Sequence, residues 1–456
     1  MSILDTINDF LWSYIVIALL VFCAIYFTFR TRFIQFRRIP DMIHVLFQRE
    51  SNAKIGPFQA FAVALSSRVG TGNLAGVASA IFVGGPGAVF WMWVMALFGS
   101  ATAFVESTLA QLYKRKGSDS YYGGPAYYMQ YGLHARWMGV LFAVLITLTF
   151  GLANQIVQST TLCDSISDTF SMPKAVVGIV VTIATLIIIF GGIQRISHFA
   201  SLVVPFMAVS FILLSVVIVI MNITQIPYVM KLIFESAFGF DSFAGGAVGV
   251  AVMQGVKRGL FSNEAGEGSA PNAAAIAETS HPVKQGLLQA FGVFIDTLVI
   301  CTCTSFIILI SGKYDCGKDG ILLTAEALHS EIGSFGRYFI SVAIFLFAYS
   351  TIIANYFYGE TNIRFITNKK WAVTCFRLLT AVVIMYGALT TLQTAFSIVD
   401  IVMGLMTITN LIAIFLLSPK VFRLLKDYME QAKKGKNPEF HRSAMKDIES
   451  DLECWE

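Results

Sequence analysis

Ser66-Ser67-Arg68-Val69-Gly70-Thr71-Gly72-Asn73 lies in the middle of an apolar run that extends from residue 57 to residue 82. That run is long enough to cross a bilayer, for which a helix needs about 20 apolar residues. At its centre, two glycines weaken the helix, and hydroxyl and amide side chains compete for its backbone hydrogen bonds. The stretch predicts a membrane helix broken near its midpoint. Backbone groups freed by such a break cost several kcal/mol each in hydrocarbon unless something supplies partners. A second glycine-rich stretch, Gly245-Gly246-Ala247-Val248-Gly249, opens the apolar run 243–260. Broken helices at corresponding positions of two chain halves point to a transporter's binding site. Either stretch alone has a plainer explanation in close helix packing. Together, with hydroxyls beside the first, they favour a site.

The rest of the chain agrees with a membrane setting. Of 456 residues, 56% are hydrophobic without counting 36 glycines, and 13% are charged. Soluble domains carry about 25% charged residues, so this chain could not cover a water-facing surface. The seven cysteines are scattered, and the six histidines equally so, which leaves no disulfide framework or transition-metal spacing. No complete Gly-x-x-x-x-Gly-Lys-Ser/Thr motif supports ATP-driven transport; Gly312 to Lys318 has the spacing, but Asp319 follows. An enzyme would want paired acids or a nucleophile with its base, and no such arrangement recurs.

Apolar segments fall at 11–29, 57–82, 87–112, 138–162, 175–191 and 200–222, then at 243–260, 286–311, 338–358, 372–391 and 394–418. The expectation is an all-α membrane protein of about eleven transmembrane helices in a single domain over 1–418. Asp5 and Asp9, with no Lys or Arg, precede the first run, so it reads as a true helix and not a secretory signal. Without it, ten helices divide into two groups of five, 57–222 and 243–418. Five is odd, so the second group would enter the membrane inverted. Alternate connections plus the tail from 419 hold 25 of the 32 Lys and Arg residues, and the opposite side holds five. Positive residues gather on the cytoplasmic side. This places the N-terminus outside and a basic tail, 419–456, in the cytoplasm of a cell whose plasma (inner) membrane the chain crosses. The net charge of +4 is thus a topology feature and no sign of nucleic-acid binding. The tail's Lys433, Lys434 and Lys436 suit contact with anionic membrane lipid, though a solvated tail is the plainer reading.

Several blocks carry a more specific likeness: Gly56-Pro57-Phe58-Gln59-Ala60, Val69-Gly70-Thr71-Gly72-Asn73-Leu74-Ala75-Gly76-Val77, Gly84-Gly85-Pro86-Gly87-Ala88, Gly123-Gly124-Pro125-Ala126-Tyr127-Tyr128 and Phe261-Ser262-Asn263-Glu264-Ala265-Gly266-Glu267-Gly268-Ser269-Ala270-Pro271. With these the chain resembles the alanine/glycine:cation symporter family, the sodium:alanine symporters, over nearly its whole length. The resemblance implies a leucine-transporter-type fold, one N-terminal helix before a five-plus-five inverted repeat with two interrupted helices. It implies co-transport of sodium with a small neutral amino acid. The amino acid would lie between the breaks, at Thr71, Gly72 and Asn73 on one side and Gly245 and Gly246 on the other, helped by Gln158. For Gln158 an ordinary interhelical hydrogen bond is the rival reading. Sodium would take the Ser66, Val69 and Phe347 carbonyls and the Ser350 and Thr351 hydroxyls; such hydroxyls otherwise bond back to their own helix.

The chain also departs from the family pattern. Arg68 stands in the break where many members have a small polar residue, which suggests a gate ion pair with Asp400 or Glu106, or a water-filled vestibule. Asp296 is either a proton site, as a proton-coupled symporter would need, or a structural hydrogen-bonding group. Ser262-Asn263-Glu264-Ala265-Gly266-Glu267 suits an inner-gate hinge or a capped helix start, and its Glu267 replaces an apolar residue. Asn355, where relatives carry an aromatic residue near the substrate side chain, leaves alanine or glycine and the larger amide glutamine both open.

Overall fold

The computed structural model describes residues 8, 10–48, 53–117, 120–239, 245–367 and 369–455. In chain order the main helices are α1 (Leu11–Arg30), α2 (Pro57–Arg68), α3 (Gly72–Gly84), α4 (Ala88–Leu112), α5 (Arg136–Phe170), α6 (Lys174–Ile189), α7 (Gly192–Met221), α8 (Ile226–Phe238), α9 (Gly245–Asn263), α10 (Pro282–Ile310), α11 (Gly320–Ile332), α12 (Ser334–Ile366), α13 (Lys370–Leu389) and α14 (Leu392–Lys433). Among the described residues the sheet is a two-strand ladder, in which Arg115 pairs with Tyr122 and Lys116 with Tyr121.

Among the described residues, eight helices are long and apolar enough to cross a bilayer unaided: α1, α4, α5, α7, α10, α12, α13 and the Val399–Lys433 part of α14. A helix stands at each of the other expected spans, but α2, α3, α6 and α9 are shorter or less apolar. Burial sorts the long helices by position. In α12, 72% of the apolar window is inside the protein, against 33% in α7 and α13. The latter two turn Leu202, Phe206, Leu213 and Val382 outward, as helices facing hydrocarbon do. The interior packing is α10 and α9 against α4, and α5 against α12 and α13.

α7 and α14 run through Pro205 and Pro419; α7 starts at Gly192, before the expected 200, and α14 continues past the expected 418 to Lys433. Neighbouring groups in a bundle can satisfy the carbonyl that a proline leaves free. Of the main helices, α8 and α11 were not anticipated. In α11 the Asp319 carboxylate accepts from Gly320 N at 2.5 Å and from Ser79 Oγ at 2.6 Å. Thr324 Oγ1 donates to Leu74 O at 3.0 Å, so α11 is fastened to α3.

The tail corrects the expectation of a solvated segment. α14 continues to Lys433, and the chain then folds back on the bundle. Phe440 N donates to Ser280 O at 2.8 Å, Ser280 Oγ donates to Pro438 O at 2.8 Å, and Trp455 Nε1 donates to Leu112 O at 3.1 Å. The cause is apolar residues dispersed among the charges: Phe440, Met445, Ile448, Leu452 and Trp455 are all buried.

Candidate functional site

The first interruption is where the sequence put it. α2 ends at Arg68, and Val69, Gly70 and Thr71 separate it from α3. The freed amides find side chains: Gly70 N donates to Asn73 Oδ1 at 3.0 Å and Thr71 N to Gln158 Oε1 at 3.1 Å. Gln158 is itself fixed by donating from Nε2 to Asn154 Oδ1 at 3.0 Å. The Thr71 hydroxyl is fully buried and has no protein partner.

The second interruption is not where the sequence put it. Gly245 and Gly246 form the first turn of the continuous helix α9, and Gly246 is exposed with no atom near its missing Cβ. Sixteen helical steps, about 24 Å at 1.5 Å each, separate Gly246 from Ser262. The helix breaks instead at Glu264–Ser269, between α9 and the short helix Ala270–Ala274. Glu264, Gly266 and Gly268 have φ of 56, 94 and 84°, left-handed values that the glycines adopt without a Cβ clash. Glycine content alone misled the reading, because a glycine run can stay helical. Spacing would have served better: Ser262, Gly266 and Gly268 follow Ser66, Gly70 and Gly72 by 196 residues each.

The two interruptions are clasped together. Asp296, in a wide π-helical turn of α10, accepts from Asn73 Nδ2 at 2.6 Å, Ser262 Oγ at 2.8 Å and Thr297 Oγ1 at 2.8 Å. Glu264 accepts from Ser67 Oγ and Ser269 Oγ, both at 2.5 Å. Glu106 of α4 accepts from Gly266 N at 3.2 Å and from Asn410 Nδ2 at 2.8 Å. Asn410 Nδ2 also donates to Gly266 O at 2.9 Å. Sequence reasoning missed Glu264 and Asn410 as members of this cluster. Asn355 also belongs to it, 2.9 Å from Ser67 Oγ. The contact is to the Asn355 Oδ1, and its Nδ2 is buried with no protein partner.

Arg68 does not pair with Asp400. Asp400 accepts from Lys257 Nζ at 2.6 Å and from both Arg258 Nη atoms at 3.3 Å. Arg68 is 1% exposed and donates from Nη1 to Gln289 O at 3.0 Å. No carboxylate lies within ion-pair distance of it among the described residues, although its charge acts on Glu106, Glu264 and Glu267. Its Nε and Nη2, and both carboxylate oxygens of Glu267, lack protein partners.

Of the five expected sodium ligands, Ser66, Phe347 and Thr351 meet, and Ser350 bonds back to its own helix. Thr351 Oγ1 is 2.7 Å from Ser66 O and 2.9 Å from Phe347 O, and Ser350 Oγ is 3.0 Å from Phe347 O. One hydroxyl hydrogen faces two carbonyls, so at least one of the two Thr351 contacts falls short of a full hydrogen bond. Neutral oxygens crowded this way suit a hard cation. Val69, the fifth, is fully buried in the adjoining turn.

The whole chain has well-defined relatives. Residues 1–442 match the model of the sodium:alanine symporter family. A Bacillus subtilis (strain 168) protein named as a probable sodium/glutamine symporter is 51% identical, over 98% of this chain and 94% of its own. The sodium/alanine symporter AgcS of Methanococcus maripaludis is 38% identical, over 94% of this chain and 97% of its own. Among solved structures, a manganese transporter from Eremococcus coleocola shares the fold with a TM-score of 0.51 at 12% identity, covering 89% of this chain and 86% of that one. This chain is a multi-pass transporter, not an enzyme, and it belongs to the sodium:alanine symporter family.

Proposed function

We propose that the protein imports a neutral amino acid together with sodium by alternating access. The observation that carries this reading is the Thr351 hydroxyl lodged between the Ser66 and Phe347 carbonyls, one turn from the first interruption. Sodium held there by Ser66, Val69, Phe347, Ser350 and Thr351 would draw the end of α2 onto α12. The amino acid binds beside it. Its carboxylate faces the amides and hydroxyl of Thr71, Gly72 and Asn73, where the start of α3 adds a partial positive charge. Gln158 then releases Thr71 N and turns to the substrate. The second wall is Glu264–Ser269, which takes the place first given to Gly245 and Gly246.

Alanine or glycine is one substrate class; glutamine is the second reading, favoured by the buried, half-satisfied Asn355 amide and by the name of the Bacillus relative. Other relatives are named sodium/proton-dependent alanine carriers, which keeps proton coupling as the rival to sodium alone. The interruptions at matching positions support two inverted repeats, 57–222 and 243–418. The Lys and Arg asymmetry supports a plasma-membrane orientation with the N-terminus outside and the C-terminus in the cytoplasm. The test is uptake of labelled alanine, glycine and glutamine into proteoliposomes, with sodium and pH gradients imposed separately. Accumulation on a sodium gradient alone is expected. Uptake that ignores sodium and follows the pH gradient would overturn the reading.

A further inference from the structure

We infer that the cavity between the turn after α1 and the last turns of α14 binds the phosphate headgroup of an anionic phospholipid. The cavity holds about 420 Å³. Its walls carry six cations, Arg30, Arg32, Arg37, Arg38, Lys426 and Lys433, against the single carboxylate of Glu430.

The convergence is tertiary. α1 ends at Arg30, and the chain reverses through Arg32 and Phe33, with φ of 54 and 57°, into the short helix Ile34–Arg37. The facing wall is one side of α14, where Phe422, Leu425, Lys426, Met429 and Lys433 recur at helical spacing. The Arg30 guanidinium lies 5.0 Å from the centre of the Phe422 ring. Two cations are used locally: Arg38 pairs with Asp41 at 3.1 Å and Lys426 with Glu430 at 3.9 Å. Among the described residues, Arg30, Arg32, Arg37 and Lys433 have no carboxylate within 4.0 Å. Four uncompensated like charges around one cavity repel each other, and a bound anion relieves them. The positive-inside bias explains why Lys and Arg gather at this end. It does not explain their convergence on a cavity floored by Phe422, Leu425 and Met429.

Depth and rim select a lipid over a soluble anion. The 20 residues of α1, about 30 Å, match the hydrocarbon thickness, so Arg30 lies at the headgroup boundary. On the outside of the same turn, Phe29, Phe33 and Phe36 are 62, 39 and 43% exposed, with consecutive rings 5.2 and 6.5 Å apart. They form an apolar rim for acyl chains. Basic pockets at this membrane end are the kind that hold anionic headgroups.

The test compares retention of phosphatidylglycerol and phosphatidylcholine by the purified full chain, read by native mass spectrometry. Arg32→Gln/Arg37→Gln should lower phosphatidylglycerol retention by about fivefold per charge removed and leave phosphatidylcholine unchanged. Lys434→Gln/Lys436→Gln, at exposed positions outside the cavity, should retain it as the unaltered chain does. If the arginine pair proves necessary for folding, Lys433→Gln alone, exposed in the last turn of α14, gives the same readout at about fivefold. Undiminished retention in the cavity variants, or an equal loss in the Lys434/Lys436 control, would overturn the proposal. Displacement of the lipid by millimolar inorganic phosphate or glycerol phosphate would also do so, because the cavity would then be a site for free anions.

Discussion

At Gly72 an added Cβ would lie 3.1 Å from Ser262 Cα and 3.2 Å from Phe261 Cδ1, so this glycine sets how closely the first interruption approaches the end of α9. Gly72→Val should therefore strain the contact by about 1–3 kcal/mol and separate the interruptions. Amino-acid binding should be lost while the protein still reaches the membrane; normal transport by this variant would reject the assignment. Asp296 bears on coupling. It is a hydrogen-bonding clasp with three donors, and Asp296→Asn can still accept from part of that set. The variant should cost about 1–3 kcal/mol, visible as a lower melting temperature, and keep the pH dependence of uptake. A selective loss of uptake driven by a pH gradient would instead make Asp296 the proton carrier. Of the candidate site residues, Thr71 and Asn73 stood out by lying in the broken stretch, while their roles and that of Thr351 came from the family resemblance. Glu264 and Asn410 were not legible, because their roles depend on a left-handed turn and on a helix nearly 150 residues downstream.

The helices were legible wherever an apolar run was long, and less so where irregularity decides. The interruption at Gly70 followed from glycines among hydroxyls, and the second interruption was misplaced because glycine is common in regular membrane helices. Left-handed φ at Glu264, Gly266 and Gly268 marks it, and composition does not reveal φ. The C-terminal segment was misread for a related reason: its charge suggested solvation, yet its apolar residues are placed to cover the bundle. It joins Trp455 to the end of α4 and Phe440 to the segment before α10. A chain ending at residue 436 should melt several degrees lower than the full chain, since it loses five buried apolar side chains. An unchanged melting temperature would mean that this contact adds nothing to stability. The measurement is made in detergent, where no lipid headgroup shares the contact.

For the whole molecule, the central claim is that one cation and one zwitterion share the first interruption. α2 would be held to α12 by the cation and α3 would receive the carboxylate, so each ligand completes the other's site. Reciprocity follows: if sodium raises affinity for the amino acid, the amino acid must raise affinity for sodium by the same factor. The sensitive position is Thr351, whose hydroxyl links the Ser66 and Phe347 carbonyls. The most direct measurement is equilibrium binding of labelled alanine and glutamine to the purified protein in sodium and in choline, with Thr351→Ala and Thr351→Ser in parallel. The account expects sodium to tighten binding of one of these amino acids by about tenfold, near the middle of the usual coupling range. It expects Thr351→Ser to keep that gain and Thr351→Ala to lose it. Equal affinity in sodium and choline for the unaltered chain, or full sodium dependence in Thr351→Ala, would contradict it.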